Sequence, residues 1–265
     1  MTLSLDWETR SVADLKLVGL WNYARHKTTD IICGAYAFDD EEPELWLPDQ
    51  PCPPRIVAHL VAGGLIHAWN APFEIDIWQQ IATPRYGWPV VRPEFFVCSM
   101  SQAYAQGLPG GLEDAALALG LPVLKDIEGR NLMLRVARPR RMDGNTPVWW
   151  TDEDKLQRVY AYSRQDVRVE RAASKRLLPL SAKERCVQLM DWAINARGVA
   201  VDLKTAKAGA AMAEEIKIRA GQRLAIITEA TVTSADALTP LKQWIESRVG
   251  YPVSSLAKDM VEAML

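Results

Sequence analysis

The sequence predicts an α/β fold, in which helices flank a mixed β-sheet, followed by an all-helical segment. Apolar and polar residues alternate along "LSLDWET", which is typical of a strand with two different faces. Further short apolar runs follow, with helical patterns interleaved among them. After residue 180 the apolar positions recur every three or four residues, which indicates helices alone.

Three more strands are predicted from apolar runs that stop at turn residues. They are "DIICGAYAF", "PELWLP" and "LIHAW", and the acidic, turn-like "DDEEP" separates the first two. Helices are predicted over "RIVAHLVAGG" and "APFEIDIWQQIA", and residues 99–125 are expected to form short helices broken by "GLPGG" and "GLP". The stretch "TDEDKLQRVYAYSRQDVRVERAASKRLL" is predicted to be one long helix, with Thr151 as its N-cap and acids in its first turn.

The change of pattern near residue 180 predicts two domains, 1–180 and 181–265. In the second, one helix is expected to stop at Gly198 and another to begin near Asp202. The apolar residues of that second helix step by three or four, as expected for a helical stripe, at Ala206, Ala210, Ala213, Ile216, Ala220, Leu224 and Ile227.

Composition excludes several classes of protein. The 265 residues contain no apolar run of the roughly 18–20 residues that cross a membrane, so no membrane partner is expected. The four cysteines lack Cys-x-x-Cys spacing, which favours free thiols in a reducing compartment. Only three histidines are present, so the chain has few histidine side chains that could serve as metal ligands or catalytic bases. The net charge is −2, so binding to nucleic acid would need a local basic patch.

Two carboxylates, Asp6 and Glu8, share one face of the first predicted strand. Adjacent like charges on one strand face repel, so either the face is solvated or a cation lies beside it. Tyr162 and Asp166 are four residues apart and therefore share one face of the long helix. That pair is also consistent with an ordinary solvated helix face.

Asn70 and Glu74 are likewise four residues apart, on the helix that follows "LIHAW". Taken alone, Asn70 is better explained as the N-cap of that helix. Asp76 is a nearby alternative to Glu74, but two residues along a helix turn the side chain by about 200°, so Glu74 is favoured as the acid on the face of Asn70.

Taken together, the ordered acids and the tyrosine resemble the 3′→5′ exonucleases of the DEDD class, in the subgroup whose third motif carries tyrosine. The surrounding sequence is similar to the proofreading region of family A DNA polymerases, especially the bacteriophage-type branch. The stretches that carry this resemblance are "LDWETRSVADLKLVGLWNYA", "HAWNAPFE", "GLPGGLEDAALALGLPVLKD", "LMLRVARPR", "YSRQDVRVE" and "INARGVAVD". The resemblance implies a ribonuclease H-like fold.

The same resemblance implies two divalent cations, Mg²⁺ or Mn²⁺, whose four positive charges would balance four carboxylates. Asp6 would bridge both ions, Glu8 and Asp166 would complete the ion on the nucleophile side, and Tyr162 would orient the attacking water. Glu74 would serve the ion on the leaving-group side, directly or through water. Many family members have aspartate at the position of Glu74, and this chain departs from them there.

The implied substrate is a single-stranded or frayed DNA 3′ end. The residues expected to hold it are Trp7, Thr9, Val12, Asn70 and Phe73. Buried packing is an equal alternative for Trp7. A basic stretch offers contacts to the DNA backbone, although it could instead be a solvated face, through Arg130, Arg135, Arg138, Arg140 and Arg141.

We find no palm carboxylates and no fingers helix before Leu265. The expectation is therefore a part of a longer polymerase that does not polymerise DNA by itself, with the remainder of the polymerase as its partner and the cytoplasm of a phage's bacterial host as its location. Residues 181–265 are interpreted as the segment that leads into a thumb. The alternatives are a free-standing ribonuclease D-like enzyme, a catalytically silent DNA-binding module and a structural scaffold.

Overall fold

The structure, a computed structural model, describes residues 1–122, 126–234 and 236–264. It consists of two compact units, Met1–Arg197 and Gly198–Leu265. The first unit thus extends past residue 180 and includes the helix that follows it. The functional boundary at residue 180, and the interpretation of the later residues as a segment that leads into a thumb, stay predictions.

A mixed five-stranded sheet forms the centre of the first unit and confirms the predicted α/β fold. Its strands are β1 (Leu3–Arg10), β2 (Asp30–Phe38), β3 (Glu44–Trp46), β4 (Ile66–Ala68) and β5 (Phe96–Cys98). Their order across the sheet is β3-β2-β1-β4-β5. β1 pairs antiparallel with β2 and parallel with β4, so β1 is a central strand. The sequence did not predict β5, nor a separate hairpin of β6 (Arg141–Asp143) and β7 (Thr146–Val148).

Helices surround the sheet. In the first unit they are α1 (Leu15–Arg25), α2 (Pro54–Val61), α3 (Ala71–Ile77), α4 (Thr83–Tyr86), α5 (Ser99–Ala105), α6 (Leu112–Ala118), α7 (Ile127–Val136), α8 (Glu153–Ser174) and α9 (Ala182–Arg197). A π-helical turn, Trp78–Ala82, joins α3 to α4. Of the short helices expected over residues 99–125, α5 and α6 are present, and 123–125 lie outside the described residues.

The main core lies on the face of β1 that carries its apolar residues. Leu3, Leu5 and Trp7 are almost fully buried there, together with residues of α2 and α3. Trp7 meets the rings of Trp78 and Trp88 edge to face, at centroid distances of 6.2 and 4.9 Å. Such aromatic pairs stabilise a core beyond the area they bury. The buried side of the acid-bearing strand is therefore held in an aromatic core.

Helix α8 covers the opposite face of the sheet. Val167 packs there against Ala35 and Ala37 of β2, whose small side chains let the helix approach closely. Both faces of β1 are consequently covered, and the polar face is not a solvated one. The helix begins one residue later than predicted: its N-cap is Asp152 and not Thr151. Asp152 is extended there and its carboxylate accepts a hydrogen bond from Lys155 at 2.6 Å, which ties it to the first turn.

The second unit is helical in its described residues. It contains α10 (Leu203–Ile227), α11 (Leu238–Val249) and α12 (Lys258–Met264). Asp202 caps α10 by accepting hydrogen bonds from the backbone of Lys204 and Thr205, which agrees with the predicted start of that helix. Among the described residues, no helix combines the length and the apolar character needed to cross a membrane.

Candidate active site

The first two acids lie where β1 approaches its carboxyl end. Asp6 pairs with Ala35 of β2 and Glu8 with Cys33, and the register then shifts, so that Thr9 pairs with Ile31. This irregularity is a β-bulge, a feature that often re-aims side chains beside functional sites. Because residues alternate along a strand, Asp6 and Glu8 face α8 while Trp7 faces the core.

Helix α8 brings the third motif to the same place. Tyr162 and Asp166 are one turn apart, with exposed fractions of only 2% and 5%. Between them, Ser163 donates a hydrogen bond to Oδ2 of Asp6 at 3.4 Å. The pair is therefore buried against β1, and the alternative of a solvated helix face is excluded for both residues.

Three carboxylates converge in this interface. One oxygen each of Asp6, Glu8 and Asp166 lies within 4.8 Å of the other two. Three ionised groups at that spacing would repel by about 3 kcal/mol per pair at an effective dielectric constant of about 20. Such a cluster is stable with protons or with a cation, and its ligands are the hard oxygens that Mg²⁺ and Mn²⁺ prefer. The buried acidic cluster could therefore bind a divalent metal ion.

Glu74 is the fourth acid of the cleft, although it lies outside the group of three. It is in the first turn of α3, is 4% exposed, and its Oε2 atom has no hydrogen-bond partner among the residues that the structure describes. Burial, and next the charge of Asp6, raise the pKa of Glu74 well above the usual range of a carboxyl group. A buried oxygen of this kind, close to a second acid, fits a cation ligand. Asp76, by contrast, lies 3.8 Å from Arg25.

The four acids and Tyr162 line one cleft with a volume of about 310 Å³. Its apolar walls come from three helices, through Leu15 of α1, Phe73 of α3, and Met133 and Leu134 of α7. Burial first, and then the charge of Asp166, raise the pKa of the Tyr162 hydroxyl, which therefore remains protonated. A neutral phenol can donate one hydrogen bond and accept another.

Arg138 follows α7 and is the one predicted backbone-contact arginine that lines the cleft. Its guanidinium donates to the carbonyl oxygen of Ala13 at 3.1 Å and lies 2.6 Å from a carboxylate oxygen of Asp14. These contacts hold a positive charge at the cleft. The other arginines of the basic stretch are exposed and lie away from the cleft lining, at Arg130, Arg135, Arg140 and Arg141.

The residues expected to hold a substrate fall into two groups. Trp7, Thr9 and Phe73 line the cleft, although the indole ring of Trp7 is packed in the main core, whereas Val12 and Asn70 are exposed and do not line it. Asn70 occupies the N-cap position of α3, but its side chain makes no capping hydrogen bond. Sequence reasoning missed Tyr23, which lines the cleft and hydrogen-bonds the Thr9 hydroxyl at 2.8 Å.

Comparison with known proteins gives one informative relative. No family model matches the chain. A DNA polymerase of Bacillus phage SP02 is 31% identical over 281 aligned positions, which cover 100% of this chain and 41% of the polymerase. The chain is thus similar throughout its length to part of a phage DNA polymerase, and it spans about two fifths of that relative.

Proposed function

We propose that this chain is a metal-dependent 3′→5′ exonuclease unit of a DNA polymerase and removes nucleotides from single-stranded or frayed DNA 3′ ends. The observation that carries this proposal is the convergence of Asp6, Glu8 and Asp166 in a cleft that also holds Glu74 and Tyr162. The similarity of this whole chain to part of a phage DNA polymerase supports DNA as the substrate. It also supports the rest of a polymerase as the partner and the cytoplasm of an infected bacterium as the location.

Asp6, Glu8 and Asp166 would hold one divalent cation, and Asp6 with Glu74 would hold a second. When bound, the two ions would make water more acidic and stabilise the charge that develops on phosphate and the leaving oxygen. Together their charges would offset the repulsion among the acids. Glu74, whose pKa is raised by its burial and by Asp6, would then be held in its ionised form.

The cleavage step adds water to the terminal phosphodiester. The water oxygen forms a bond to phosphorus, the bond from phosphorus to the 3′ oxygen of the preceding nucleotide breaks, and that oxygen takes up a proton. The products are a 5′-mononucleotide and a DNA strand shortened by one. Tyr162, which remains protonated, would orient the water through its hydroxyl and would not act as the base.

The walls of the cleft favour an unpaired end. Phe73 and Leu15 offer apolar contact to a terminal base, and Thr9, tied to Tyr23, offers a hydroxyl. The guanidinium of Arg138 would contact a phosphate near the reacting group. Contacts to bases by stacking and to phosphates by charge do not depend on sequence, which suits an enzyme that removes any terminal nucleotide.

A comparison of linear and circular single-stranded DNA tests the proposal. With Mg²⁺ or Mn²⁺, the linear strand should be degraded to 5′-mononucleotides, whereas the circle, which has no 3′ end, should stay intact. Cutting of the circle would mean an endonuclease. An RNA strand of the same sequence distinguishes the ribonuclease D-like alternative, because that enzyme would degrade RNA faster. Binding of DNA without any hydrolysis would favour the catalytically silent module.

A further inference from the structure

We propose that Glu170 is a positioning residue of this site, whose carboxyl braces the three elements that carry Asp6, Glu74 and Asp166. The inference rests on the proposed function, for which those three acids are metal ligands. Glu170 lies on α8 one turn beyond Asp166, so it faces the same side of the helix, and it is only 4% exposed. Within "YSRQDVRVE" it is an additional acid to which the sequence assigned no role.

The first contact of the brace joins α8 to α5. Ser99, the first residue of α5, is fully buried and donates a hydrogen bond from Oγ to Oε1 of Glu170 at 2.5 Å. The next residue, Met100, donates its backbone N–H to the carbonyl oxygen of Trp69 at 2.9 Å. Trp69 lies two residues before the start of α3, the helix that carries Glu74. Glu170 is thereby linked, through two hydrogen bonds, to the chain that positions Glu74.

The second contact joins α8 to β1. The hydroxyl of Ser4, which is 2% exposed, faces the carboxyl of Glu170 and lowers its pKa, and the Oε2 atom of that carboxyl has no hydrogen-bond partner among the residues that the structure describes. Ser4 precedes Asp6 by two residues and therefore lies on the same face of β1. One carboxyl group thus accepts a hydrogen bond from Ser99, which is connected to the chain before Glu74, and faces the hydroxyl of Ser4, two residues before Asp6. It fixes how far α8 stands from both.

Electrostatics agree with this placement. The charge of Glu170 adds a smaller contribution to the elevated pKa of Glu74, after burial and after Asp6, so the two buried carboxyl groups interact electrostatically. Burial also raises the pKa of Glu170 itself, against the lowering effect of Ser99 and Ser4. What the brace requires is an acceptor of this length at this position. Glutamine retains that acceptor and leucine does not.

The test measures Mn²⁺ binding to the 265-residue chain without DNA, by the electron paramagnetic resonance signal of free Mn²⁺. Glu170→Leu should weaken Mn²⁺ binding by about tenfold to a hundredfold, as is typical for residues that orient metal ligands. Hydrolysis of single-stranded DNA should lose kcat while KM changes little, because the walls of the cleft are untouched. Glu170→Gln should retain most of both properties. Ser99→Ala, which deletes one hydroxyl, should also weaken Mn²⁺ binding, as Glu170→Leu does.

The matched control is Val169→Ala. Val169 is the neighbouring residue on α8 and is fully buried, but it packs against Leu112 and Ala116 of α6, away from the acids. It should lower thermal stability without changing Mn²⁺ affinity. If Glu170→Leu does not fold, Ser99→Ala alone decides the question.

Wild-type Mn²⁺ affinity in Glu170→Leu or Ser99→Ala would overturn the inference, and so would a glutamine variant as impaired as the leucine variant, since a charge and not a brace would then be required. Failure of the wild-type chain to bind Mn²⁺ and to hydrolyse DNA would instead refute the proposed function itself. The two failures are therefore distinguishable.

Discussion

A Cβ atom on Gly34 would lie 2.2 Å from Cζ3 of Trp7, because the indole of Trp7 occupies the space beside that glycine. The two residues are direct partners in the pairing of β1 with β2. The contact thus sits between Asp6 and Glu8 on the buried side of the strand. The conformation of the acid-bearing strand therefore depends on the absence of a side chain at Gly34.

Gly34→Ala should therefore destabilise the protein by about 1–3 kcal/mol, the usual cost of an overpacked core. Urea unfolding measured by tryptophan fluorescence checks this. Gly209→Ala is the control, because Gly209 lies inside α10 with no atom within 4 Å of its added Cβ. That change should be neutral or stabilising. Equal stability of the Gly34 variant and the wild type would show that Trp7 moves away without cost.

The second prediction concerns how α7 is fixed beside the cleft. Asp126 caps α7 by accepting a hydrogen bond from the backbone N–H of Gly129 at 3.0 Å, and Arg158 of α8 donates two hydrogen bonds to the same carboxylate. Asp126→Ala should lower the free energy of unfolding at pH 7 by about 1 kcal/mol, the typical value of an N-cap. Denaturant unfolding of the two proteins measures this difference.

The difference should depend on pH in a defined direction. Arg158 is the main cause that lowers the pKa of Asp126, so the folded protein holds the proton on this group less tightly than the unfolded chain does. The stabilisation is then complete above the unfolded pKa of about 4 and is lost as pH falls through the lowered folded value. A difference between Asp126→Ala and wild type that grows on acidification would contradict the assignment.

The third prediction separates Glu74 from Asp76. Glu74→Gln keeps the shape but removes the charge, so it should weaken the second cation and strongly lower exonuclease activity. Glu74→Asp should retain a measurable part, because the charge survives and water can bridge the shorter side chain. The control is Asp76→Asn, which should be nearly neutral because Asp76 faces Arg25. The measurement is the hydrolysis rate as a function of Mn²⁺ concentration. An active Glu74→Gln together with an inactive Asp76→Asn would reverse the assignment.

The fourth prediction concerns Tyr162. Its neutral hydroxyl is proposed to orient water and not to remove a proton, so Tyr162→Phe should lower the rate by less than about a hundredfold, the low end for a general base. Single-turnover hydrolysis of single-stranded DNA measures the effect, with Asp6→Ala as the comparison. A larger loss for Tyr162→Phe than for Asp6→Ala would mean that the roles are wrongly assigned.

Periodicity in the sequence predicted the fold class and the pairs of side chains that share a face, whereas the convergence of all four acids was implied by the family resemblance. Period-two alternation separates Asp6 and Glu8 from Trp7, and a spacing of four residues aligns Tyr162 with Asp166. It could not predict that α8 covers the polar face of β1, since that depends on small residues of another strand, Ala35 and Ala37. Local pattern alone leaves both a buried and a solvated face possible.

Other features of the site depend on distant contacts with no local signal. Met133 and Leu134 form a wall only because α7 lies across the cleft from β1. In the sequence, Glu170 cannot be distinguished from a solvated acid on the surface of a helix. Its carboxyl is buried beside Ser99, which is 71 residues away in the chain. The arginines were predicted as one group, but only Arg138 reaches the cleft, because Ala13 and Asp14 hold its guanidinium there. The composition of the stretch identifies a basic patch, but it does not show which arginine of the patch lies at the cleft.

The proposed metal-dependent exonuclease activity is tested by digestion of 5′-labelled single-stranded DNA with wild type and with Asp6→Ala, each in Mg²⁺, Mn²⁺ or EDTA. Asp6 belongs to the group of three carboxylates and also raises the pKa of Glu74, so its loss affects both proposed cation sites. We expect a ladder of products that shorten one nucleotide at a time with wild type and metal, no products in EDTA, and a loss of several orders of magnitude in the rate of Asp6→Ala. Undiminished digestion in EDTA, or by Asp6→Ala, would refute metal-dependent hydrolysis at this site.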